Sequence, residues 1–555
     1  MHSLTQADRI ALRDPVLASH YRQARSYRER MDGYFVFAGD MSENFCRPGC
    51  SIRLPRPSRI RFFATPAAAH AAGLTPCPRC RPDLGCLPPD LARGDTPGLR
   101  AMRLILDGEV DRTGIDGLAG LLGLTPRQVL RAVESVAGCG PLKVARAARA
   151  HLARLLLKET AAPMAQIARA TGCTSVRQFN TTIRRFYGTT PSVLRFGARR
   201  PAASVTSPGP DLVLWCVLPH RQPFDADAFF TSPVTPVIPD LAAQGEHWYS
   251  RTVRLPHGSG HARLSSDSRG RVLARLSVQD ARDVLPLYAR TRLFLDLDAD
   301  TRVIEEQLGR ADPELTVHLS THRGMRVPGS IDLQESLFTA LVQELFSRPA
   351  AVLEDLVARL GEATSWGLVF PTAAAIAAHG SDVLQHHLPR PQAPHVPESL
   401  ASPEGRESSE RPEQPGKPEK PGKPEEPAAA MGTVLALARD LQAGSLQLHY
   451  GTSRSYLITR LTSVPGIDQG TAQRLTRRTL GDADDLRAND PAVIRGAAAW
   501  GLPTDPSALA AYGQRWAPWR SYAAMQLRAA HAGHQPPSIG AERNPHRPPP
   551  GPARG

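Results

Sequence analysis

The sequence contains no run of 18 uncharged apolar residues, and its first residues lack the apolar stretch of a secretion signal. Both absences predict a chain that does not enter a membrane. Only eight cysteines occur in 555 residues. This is too few for a disulfide framework over such a length, and half of them form two tight pairs, so we expect a reducing, cytoplasmic environment.

Acidic residues are too few to balance the basic ones: 67 Lys and Arg stand against 53 Asp and Glu, a formal net charge of +14. This excess favours an anionic partner, with nucleic acid ahead of membrane. A soluble enzyme from a genome that favours arginine is the alternative on charge alone. The length predicts roughly three to four domains.

Three segments lack the residues that build a core. Residues 197–210 show no apolar periodicity and are predicted to be a linker. Residues 389–430 are rich in Pro, Glu, Lys and Ser and contain no Phe, Trp or Tyr. Such a composition cannot bury enough surface to fold, which predicts a disordered insertion. The same reasoning predicts a disordered tail over 533–555.

Four cysteines form a CxxxC pair and a CxxC pair separated by a longer loop. This spacing is how a chain places four thiolates around one zinc ion. The predicted ligands are Cys46, Cys50, Cys77 and Cys80. Arg47, inside the first pair, and Arg53, just after it, are suited to hold a DNA backbone over the thiolates. A closed, purely structural zinc site is the alternative.

Two helix-turn-helix patterns follow at 115–131 and 164–180. In the first, Gly123 provides the turn and Thr125 caps the next helix; in the second, Gly172 turns and Thr174 or Ser175 caps. Ordinary helical packing is the alternative for each pattern taken alone. The candidate DNA readers, which carry side chains able to contact base edges or phosphates, are Arg127, Gln128, Arg131, Arg177, Gln178 and Asn180.

The second half of the chain is mixed and then helical. Residues 212–217 and 272–278 have the composition of strands within a mixed region at 211–300. Helical patterns return at 331–388 and 431–532. A Pro-Gly turn lies between apolar positions at 461–472, which alone is typical of an ordinary junction between two helices.

The zinc pattern belongs to a wider resemblance. Asp32-Gly-Tyr-Phe-Val-Phe, Phe45-Cys-Arg-Pro-Gly-Cys and the cysteine-containing stretch 71–83 resemble the N-terminal metal-binding domain of the Ada family. The resemblance implies that Cys46 takes a methyl group from a methyl phosphotriester in DNA, once per molecule. It also implies one Zn²⁺ that is structural and activates this thiolate. Residues 98–196 resemble the AraC-type DNA-binding domain.

Residues 211–532 resemble the AlkA family of 3-methyladenine DNA glycosylases, in the Val-Pro-Gly-Ile turn, the stretch ending at Asp490 and Trp-Ala-Pro-Trp-Arg-Ser-Tyr-Ala at 516–523. The resemblance implies that Asp490 is the catalytic carboxylate and that Trp516 lies in the base pocket. The equally weighted alternative for Trp516 is a residue of the hydrophobic core. The implied DNA-contacting positions are Leu345, Val464, Gly466 and Ile467.

The sequence departs from the glycosylase pattern at several points. Asp468-Gln469-Gly470 stands where the family has an aromatic residue that lines its pocket. Glu344 replaces a usual glutamine, which predicts added negative charge beside DNA. No Pro-Cys-His-Arg occurs anywhere, so we expect no repair of O6-methylguanine.

Together these patterns predict a multidomain, mainly α protein. The expected parts are a small α/β zinc domain at 1–90, an all-α double helix-turn-helix domain at 95–196, an α+β subdomain at 211–325 and an all-α helix-hairpin-helix glycosylase domain at 326–388 and 431–532.

The predicted function is an adaptive response to DNA alkylation: methyl transfer to Cys46, sequence-specific activation of repair genes, and hydrolytic release of alkylated purines such as 3-methyladenine. The alternative is a transcriptional regulator with a zinc methyl sensor and a catalytically inactive, DNA-binding glycosylase-like domain. Double-stranded DNA and RNA polymerase are the expected partners.

Overall fold

The computed structural model describes residues 5–84, 87–196, 212–231, 237–387 and 427–531. The chain divides into two compact units. The first comprises Met1–His220, Pro233–Ala299 and Pro328–Asp482, and the second comprises Arg221–Ser232, Asp300–Val327 and Ala483–Gly555. The predicted linker 197–210 and tail 533–555 lie outside the described residues.

The first unit begins with a small α/β arrangement, as predicted. Its elements are α1 (Gln6–Ala11), α2 (Pro15–Ser26), β1 (Val36–Gly39), β2 (Asn44–Phe45), β3 (Ile60–Phe63), α3 (Pro66–Ala71) and β4 (Thr75–Pro76). Strand β1 pairs antiparallel with β3, and β2 pairs parallel with β4. Because Cys46 follows β2 and Cys77 follows β4, this parallel pair brings the two cysteine pairs together.

Seven helices follow, in agreement with the predicted helix-turn-helix patterns. They are α4 (Pro97–Leu106), α5 (Glu109–Leu122), α6 (Pro126–Ala137), α7 (Pro141–Glu159), α8 (Met164–Ala170), α9 (Val176–Tyr187) and α10 (Pro191–Arg195). Gly123 ends α5 with φ +67°, and the Thr125 side chain caps α6. Of the two candidates for the cap of α9, the structure selects Ser175, whose hydroxyl accepts the Gln178 N–H at 3.1 Å.

A five-stranded antiparallel sheet forms the core of the predicted α+β subdomain. Its strands are β5 (Leu212–Leu218), β6 (Ala242–Gly245), β7 (Trp248–Leu255), β8 (Gly258–Ser266) and β9 (Val272–Val278), in the order β5-β9-β8-β7-β6. The strands predicted at 212–217 and 272–278 are confirmed, and they are neighbours, with Leu212 opposite Val278. Helices α11 (Ala226–Thr231), α13 (Thr301–Ala311) and α14 (Leu315–Thr321) belong to the second unit, and α12 (Val284–Phe294) to the first.

The described residues of the first unit after Pro328 form helices and one short hairpin. Their elements are α15 (Leu333–Leu345), α16 (Pro349–Leu360), β10 (Glu362–Thr364), β11 (Gly367–Val369), α17 (Ala373–Leu384), α18 (Pro427–Gln442), α19 (Arg454–Thr462) and α20 (Gln469–Leu480). The β10–β11 hairpin was not predicted, because three-residue strands leave no period-2 pattern.

The last four residues of the segment predicted to be disordered, 427–430, form the start of helix α18. The prediction of disorder was therefore wrong for these four residues. Proline suits the first turn of a helix, and the three alanines that follow have the highest helix propensity. The remainder, 389–426, lies outside the described residues.

The second unit ends with α21 (Pro491–Ala499), α22 (Pro506–Tyr512) and α23 (Arg520–His531). Helices α21 and α23 pack backbone to backbone: a Cβ at Gly496 would lie 1.9 Å from the Leu527 carbonyl oxygen. Only glycine therefore fits at this crossing, and the crossing fixes the positions of side chains at the ends of both helices. None of the described helices combines the length and hydrophobicity of a membrane span.

Within the first unit, arginines join the helix-turn-helix region to later residues. Arg290 on α12 donates two hydrogen bonds to the Asp107 carboxylate, from Nε to Oδ1 at 2.7 Å and from Nη2 to Oδ2 at 3.1 Å. Burial alone would lower the pKa of Arg290, but the charge of Asp107 raises it well above its usual value. On α4, Arg100 and Arg103 donate to backbone carbonyls of Gly451 and Tyr450 at 2.6 and 2.7 Å.

We expect Asp107→Asn to destabilise the first unit by about 3 kcal/mol, because the buried Arg290 guanidinium would lose its counter-charge. Thermal unfolding followed by circular dichroism measures the loss. Asp116→Asn, which changes an exposed carboxylate on α5, is the matched control. Equal melting curves for the two variants would contradict this reading of the Asp107–Arg290 pair.

Candidate metal centre and DNA-binding surfaces

The four predicted ligands converge. The sulfur atoms of Cys46, Cys50, Cys77 and Cys80 all lie within 4.8 Å of one another. Tetrahedral coordination with Zn–S bonds of about 2.3 Å needs sulfurs about 3.8 Å apart. A small contraction of the cluster therefore accommodates zinc.

Backbone hydrogen bonds hold the ligands in place. Cys46 exchanges two hydrogen bonds with Phe37 of β1, at 2.7 and 2.9 Å, and the Cys77 N–H donates to the Phe45 carbonyl at 2.9 Å. The Cys50 N–H donates to the Arg47 carbonyl at 3.0 Å, which closes the turn of the first pair. The ligand geometry therefore follows from strand pairing as well as from the ion.

The electrostatics of the cluster call for a cation. A hydrogen bond with Cys80, burial and the neighbouring thiols raise the pKa of Cys46 well above its usual value. The hydrogen bond from Cys46 lowers the pKa of Cys80 to about 6. Four thiols at this spacing cannot all ionise without a positive charge among them, whereas Zn²⁺ stabilises thiolates. The donor set thus fits a zinc ion, and this is the zinc site of the protein.

Asp32 supports the loop of the first cysteine pair. Its Oδ1 accepts the Gly49 N–H at 2.8 Å, and its Oδ2 lies 3.1 Å from Nη1 of Arg47. Arg47, a predicted DNA contact, is therefore held by a carboxylate, yet 43% of its side chain is exposed. Arg53 is exposed as well. Both remain accessible to a phosphate backbone beside the zinc site.

The cysteines differ in accessibility. Cys46, the predicted acceptor, is 4% exposed, and Cys50 and Cys77 are also buried, whereas Cys80 is partly exposed. Exposure alone would favour Cys80 as the reacting thiolate. The assignment of Cys46 rests on its place in the motif, and Cys80 is the residue against which it has to be tested.

The predicted DNA readers lie on the first two turns of α6 and α9. Asn180 is partly buried. The other five are exposed: Arg127, Gln128, Arg131, Arg177 and Gln178. The amide oxygens of both glutamines are engaged in helix caps, each accepting a backbone N–H at 2.8 Å from Thr125 or Thr174. Reading adenine uses both amide atoms of a glutamine. The arginines are therefore the better candidates for base contacts.

Helices α19 and α20 form the predicted hairpin. The side chains of Val464 and Ile467 are buried, so only their backbone is available to DNA. Gly466 is exposed at φ +85°, and a Cβ there would lie 2.1 Å from Oγ1 of Thr433. Asp468 caps α20 by accepting the Thr471 N–H at 2.7 Å. One backbone donor at the start of α20 is therefore already used.

The negative charge expected from Glu344 beside DNA is compensated in the structure. Glu344 was expected to add negative charge beside DNA, but its carboxylate bridges Arg474 and Arg478 of α20, each at 3.1 Å. The charge is compensated because the last turn of α15 packs against α20. Its neighbour Leu345, an implied DNA-contacting position, is half-buried against the core of the unit.

In the second unit, Asp490 caps α21. Its Oδ1 accepts the Ala492 N–H at 2.8 Å, and its Oδ2 lies 2.5 Å from Nη1 of Arg528 on α23. Both carboxylate oxygens are thus engaged, and 22% of the side chain is exposed. Arg528 was not singled out from the sequence, because no local spacing links it to Asp490.

Trp516 lies inside the second unit. Its ring is fully buried, and its Nε1 donates to Oδ2 of Asp312 at 2.9 Å. Tyr512 stands edge-on to it and donates to the same carboxylate at 3.2 Å. This placement supports the core alternative for Trp516; its role in a base pocket stays a prediction.

Comparison with known families follows the same division of the chain. Residues 19–83 match the metal binding domain of Ada, residues 118–196 a helix-turn-helix domain, and residues 216–332 the AlkA N-terminal domain. A Mycobacterium tuberculosis protein, named probable bifunctional transcriptional activator/DNA repair enzyme AlkA, is 35% identical over 507 residues. The alignment covers 91% of this chain and 95% of the relative.

The chain belongs to this family of bifunctional transcriptional activators and DNA repair enzymes. A Bacillus subtilis relative, named bifunctional transcriptional activator/DNA repair enzyme AdaA, is 24% identical over 162 residues, 29% of this chain and 74% of the relative. The four-cysteine zinc site, the helix-turn-helix domain and DNA as a partner are family features that this chain retains.

Two solved structures are similar to parts of the chain. The 3-methyladenine DNA-glycosylase from Archaeoglobus fulgidus is 15% identical, with a TM-score of 0.42, and the match covers 57% of this chain and 98% of that one. A methylated N-ADA/DNA complex is 31% identical, with a TM-score of 0.12, over 23% of this chain and 95% of that one.

We expect Asp32→Ala to weaken zinc binding about 10- to 100-fold, because the Gly49 N–H and Arg47 would lose the carboxylate that holds the ligand loop. Competition with a chromophoric chelator measures the affinity. Asp40→Ala, an exposed carboxylate in the same domain, is the control. If both variants hold zinc equally, Asp32 does not support the site.

Proposed function

We propose that this family member acts at three levels. It takes a methyl group from DNA methyl phosphotriesters onto Cys46, activates repair genes from specific promoter sites, and releases alkylated purines such as 3-methyladenine from DNA. The observation that supports the first activity most directly is the four-sulfur cluster beside the partly exposed Arg47 and the exposed Arg53. RNA polymerase is the partner expected to follow from promoter binding.

The methyl transfer is a displacement at carbon. The Cys46 sulfur attacks the methyl carbon in line with the departing phosphate oxygen, so an S–C bond forms as the C–O bond breaks. The electron pair leaves with the oxygen as a phosphodiester anion, and Cys46 becomes a thioether. Bound zinc keeps the sulfur deprotonated and electron-rich at neutral pH. No step regenerates the thiolate, so each molecule reacts once.

The transfer also changes the charge of the site. Four thiolates around Zn²⁺ carry a net charge of −2, and methylation of one reduces it to −1. Repulsion from DNA phosphates decreases accordingly, while the exposed arginines of α6 and α9 keep their charge. Methylation should therefore tighten DNA binding, which would make the damage itself the signal for gene activation.

We expect incubation with methylated DNA to add a single methyl group, which peptide mass spectrometry will locate on Cys46. The adduct should be absent from Cys46→Ser. Cys80→Ser is the informative control, because Cys80 is the most exposed of the four ligands. A methyl group on Cys80 in the wild-type protein would refute the assignment of Cys46.

For base release, we propose that Asp490 acts on a nucleotide flipped out of the duplex. The glycosidic bond breaks with its electron pair on the base, the sugar becomes oxocarbenium-like, and the Asp490 carboxylate stabilises that positive charge. Water then forms the new bond to the sugar and gives up its proton to the carboxylate or to solvent. Base release by this route needs one carboxylate and a hairpin that holds DNA; Asp490 and the α19–α20 hairpin are the candidates for these roles.

The alternative is a glycosylase-like domain that binds DNA without catalysis. The observation on its side is that both carboxylate oxygens of Asp490 are engaged, one by the Ala492 N–H and one by Arg528.

We expect release of 3-methyladenine from methylated DNA by the wild-type protein and a loss of at least about 100-fold in Asp490→Asn. Chromatography of the released base measures both. No release by folded, DNA-binding wild-type protein would establish the alternative.

A further inference from the structure

Arg528 pairs with Asp490, the carboxylate proposed for base release. Its guanidinium lies 2.5 Å from Oδ2 of Asp490, and 16% of its side chain is exposed. At this distance and burial, solvent screens the pair only weakly. A group further away therefore experiences the nearly cancelled electrostatic potentials of the positive guanidinium and the negative carboxylate. The Asp490 carboxylate therefore presents far less negative charge to a bound nucleotide than a lone carboxylate would.

The position of Arg528 is imposed by the fold. Gly496 on α21 touches the carbonyl of Leu527, the residue before Arg528, because a Cβ there would lie 1.9 Å from that oxygen. Asp490 caps the same α21 helix. One rigid helix crossing thus sets both members of the pair, and the contact is part of the packing of the unit.

We propose that Arg528 is a specificity-determining residue for base release, which disfavours cationic alkylated purines relative to neutral bases. The inference rests on the proposed role of Asp490. The base and sugar of a nucleotide with a cationic base together carry a charge of +1 from binding to bond cleavage, since the charge only moves from base to sugar. The guanidinium opposes that charge throughout.

A neutral base behaves differently. The base and sugar together have no net charge in the site, and as the bond breaks the sugar becomes positive while the departing base becomes negative. The guanidinium repels one charge and attracts the other, so its net effect is small. Arg528 should therefore change the ratio of the two reactions, which a purely structural contact would not do.

The experiment compares Arg528→Gln with wild-type protein on two duplexes, one with a single 7-methylguanine, which is cationic, and one with hypoxanthine, which is neutral. Glutamine keeps a hydrogen-bond donor for Asp490 and removes the charge. We expect the second-order rate constant of release to rise about tenfold for 7-methylguanine and less than about twofold for hypoxanthine.

Two further variants serve as controls. Arg528→Lys keeps the charge and should retain the wild-type ratio. Arg515→Gln removes an exposed arginine that lies over the Tyr512 ring in the same unit, and should leave both rates unchanged. Circular dichroism checks that every variant is folded.

The outcomes separate this inference from the proposed function. If wild-type protein releases either base and Arg528→Gln leaves the ratio unchanged, or slows both reactions equally, the inference is wrong and the glycosylase function stands. If only Arg528→Gln releases 7-methylguanine, the inference holds and Arg528 suppresses the wild-type activity entirely. If neither folded protein releases either base while the wild-type protein releases 3-methyladenine, the inference is wrong and the glycosylase function stands. If 3-methyladenine is not released either, both are refuted.

Discussion

The contact between Arg290 and Asp107 joins two parts of the first unit that are far apart in sequence. Arg290 belongs to the helix after the five-stranded sheet, and Asp107 follows the first helix of the DNA-reading domain. A guanidinium at this depth is tolerated only with a counter-charge. The pair therefore sets how the helix-turn-helix domain packs on the AlkA-like part, and Arg100 and Arg103 extend the same interface along α4.

The same constraint recurs at the candidate sites. A chain with an excess of arginine must supply acceptors wherever a guanidinium leaves water, and here those acceptors include Asp32, Glu344 and Asp490. Each lies at a predicted site or beside one. Charge pairing in this protein consequently sets how much negative charge the candidate sites present to their surroundings.

Much of the architecture followed from local patterns. The cysteine pairs predicted the zinc site, the Gly and Thr signals predicted the first helix-turn-helix, and the runs at 212–217 and 272–278 predicted strands. Within each cysteine pair, turn and strand these signals lie within a few residues of one another, so local geometry decides them, whereas the pairing of β2 with β4 brings the two cysteine pairs together. The β10–β11 hairpin and the start of α18 at Pro427 escaped prediction, because both depend on short segments without a clear period.

The sequence by itself determined which chemistry is available: four thiols at zinc-ligand spacing, two arginine-bearing helices in helix-turn-helix patterns and a carboxylate after a Pro-Gly hairpin. Only the tertiary structure decided the electrostatic state of those groups. It tied Arg47 to Asp32, neutralised Glu344 with two arginines of α20, buried Trp516 against Asp312 and set Arg528 on Asp490. Partners separated by 15 to more than 200 residues leave no local trace, because their contact arises from helix and strand packing.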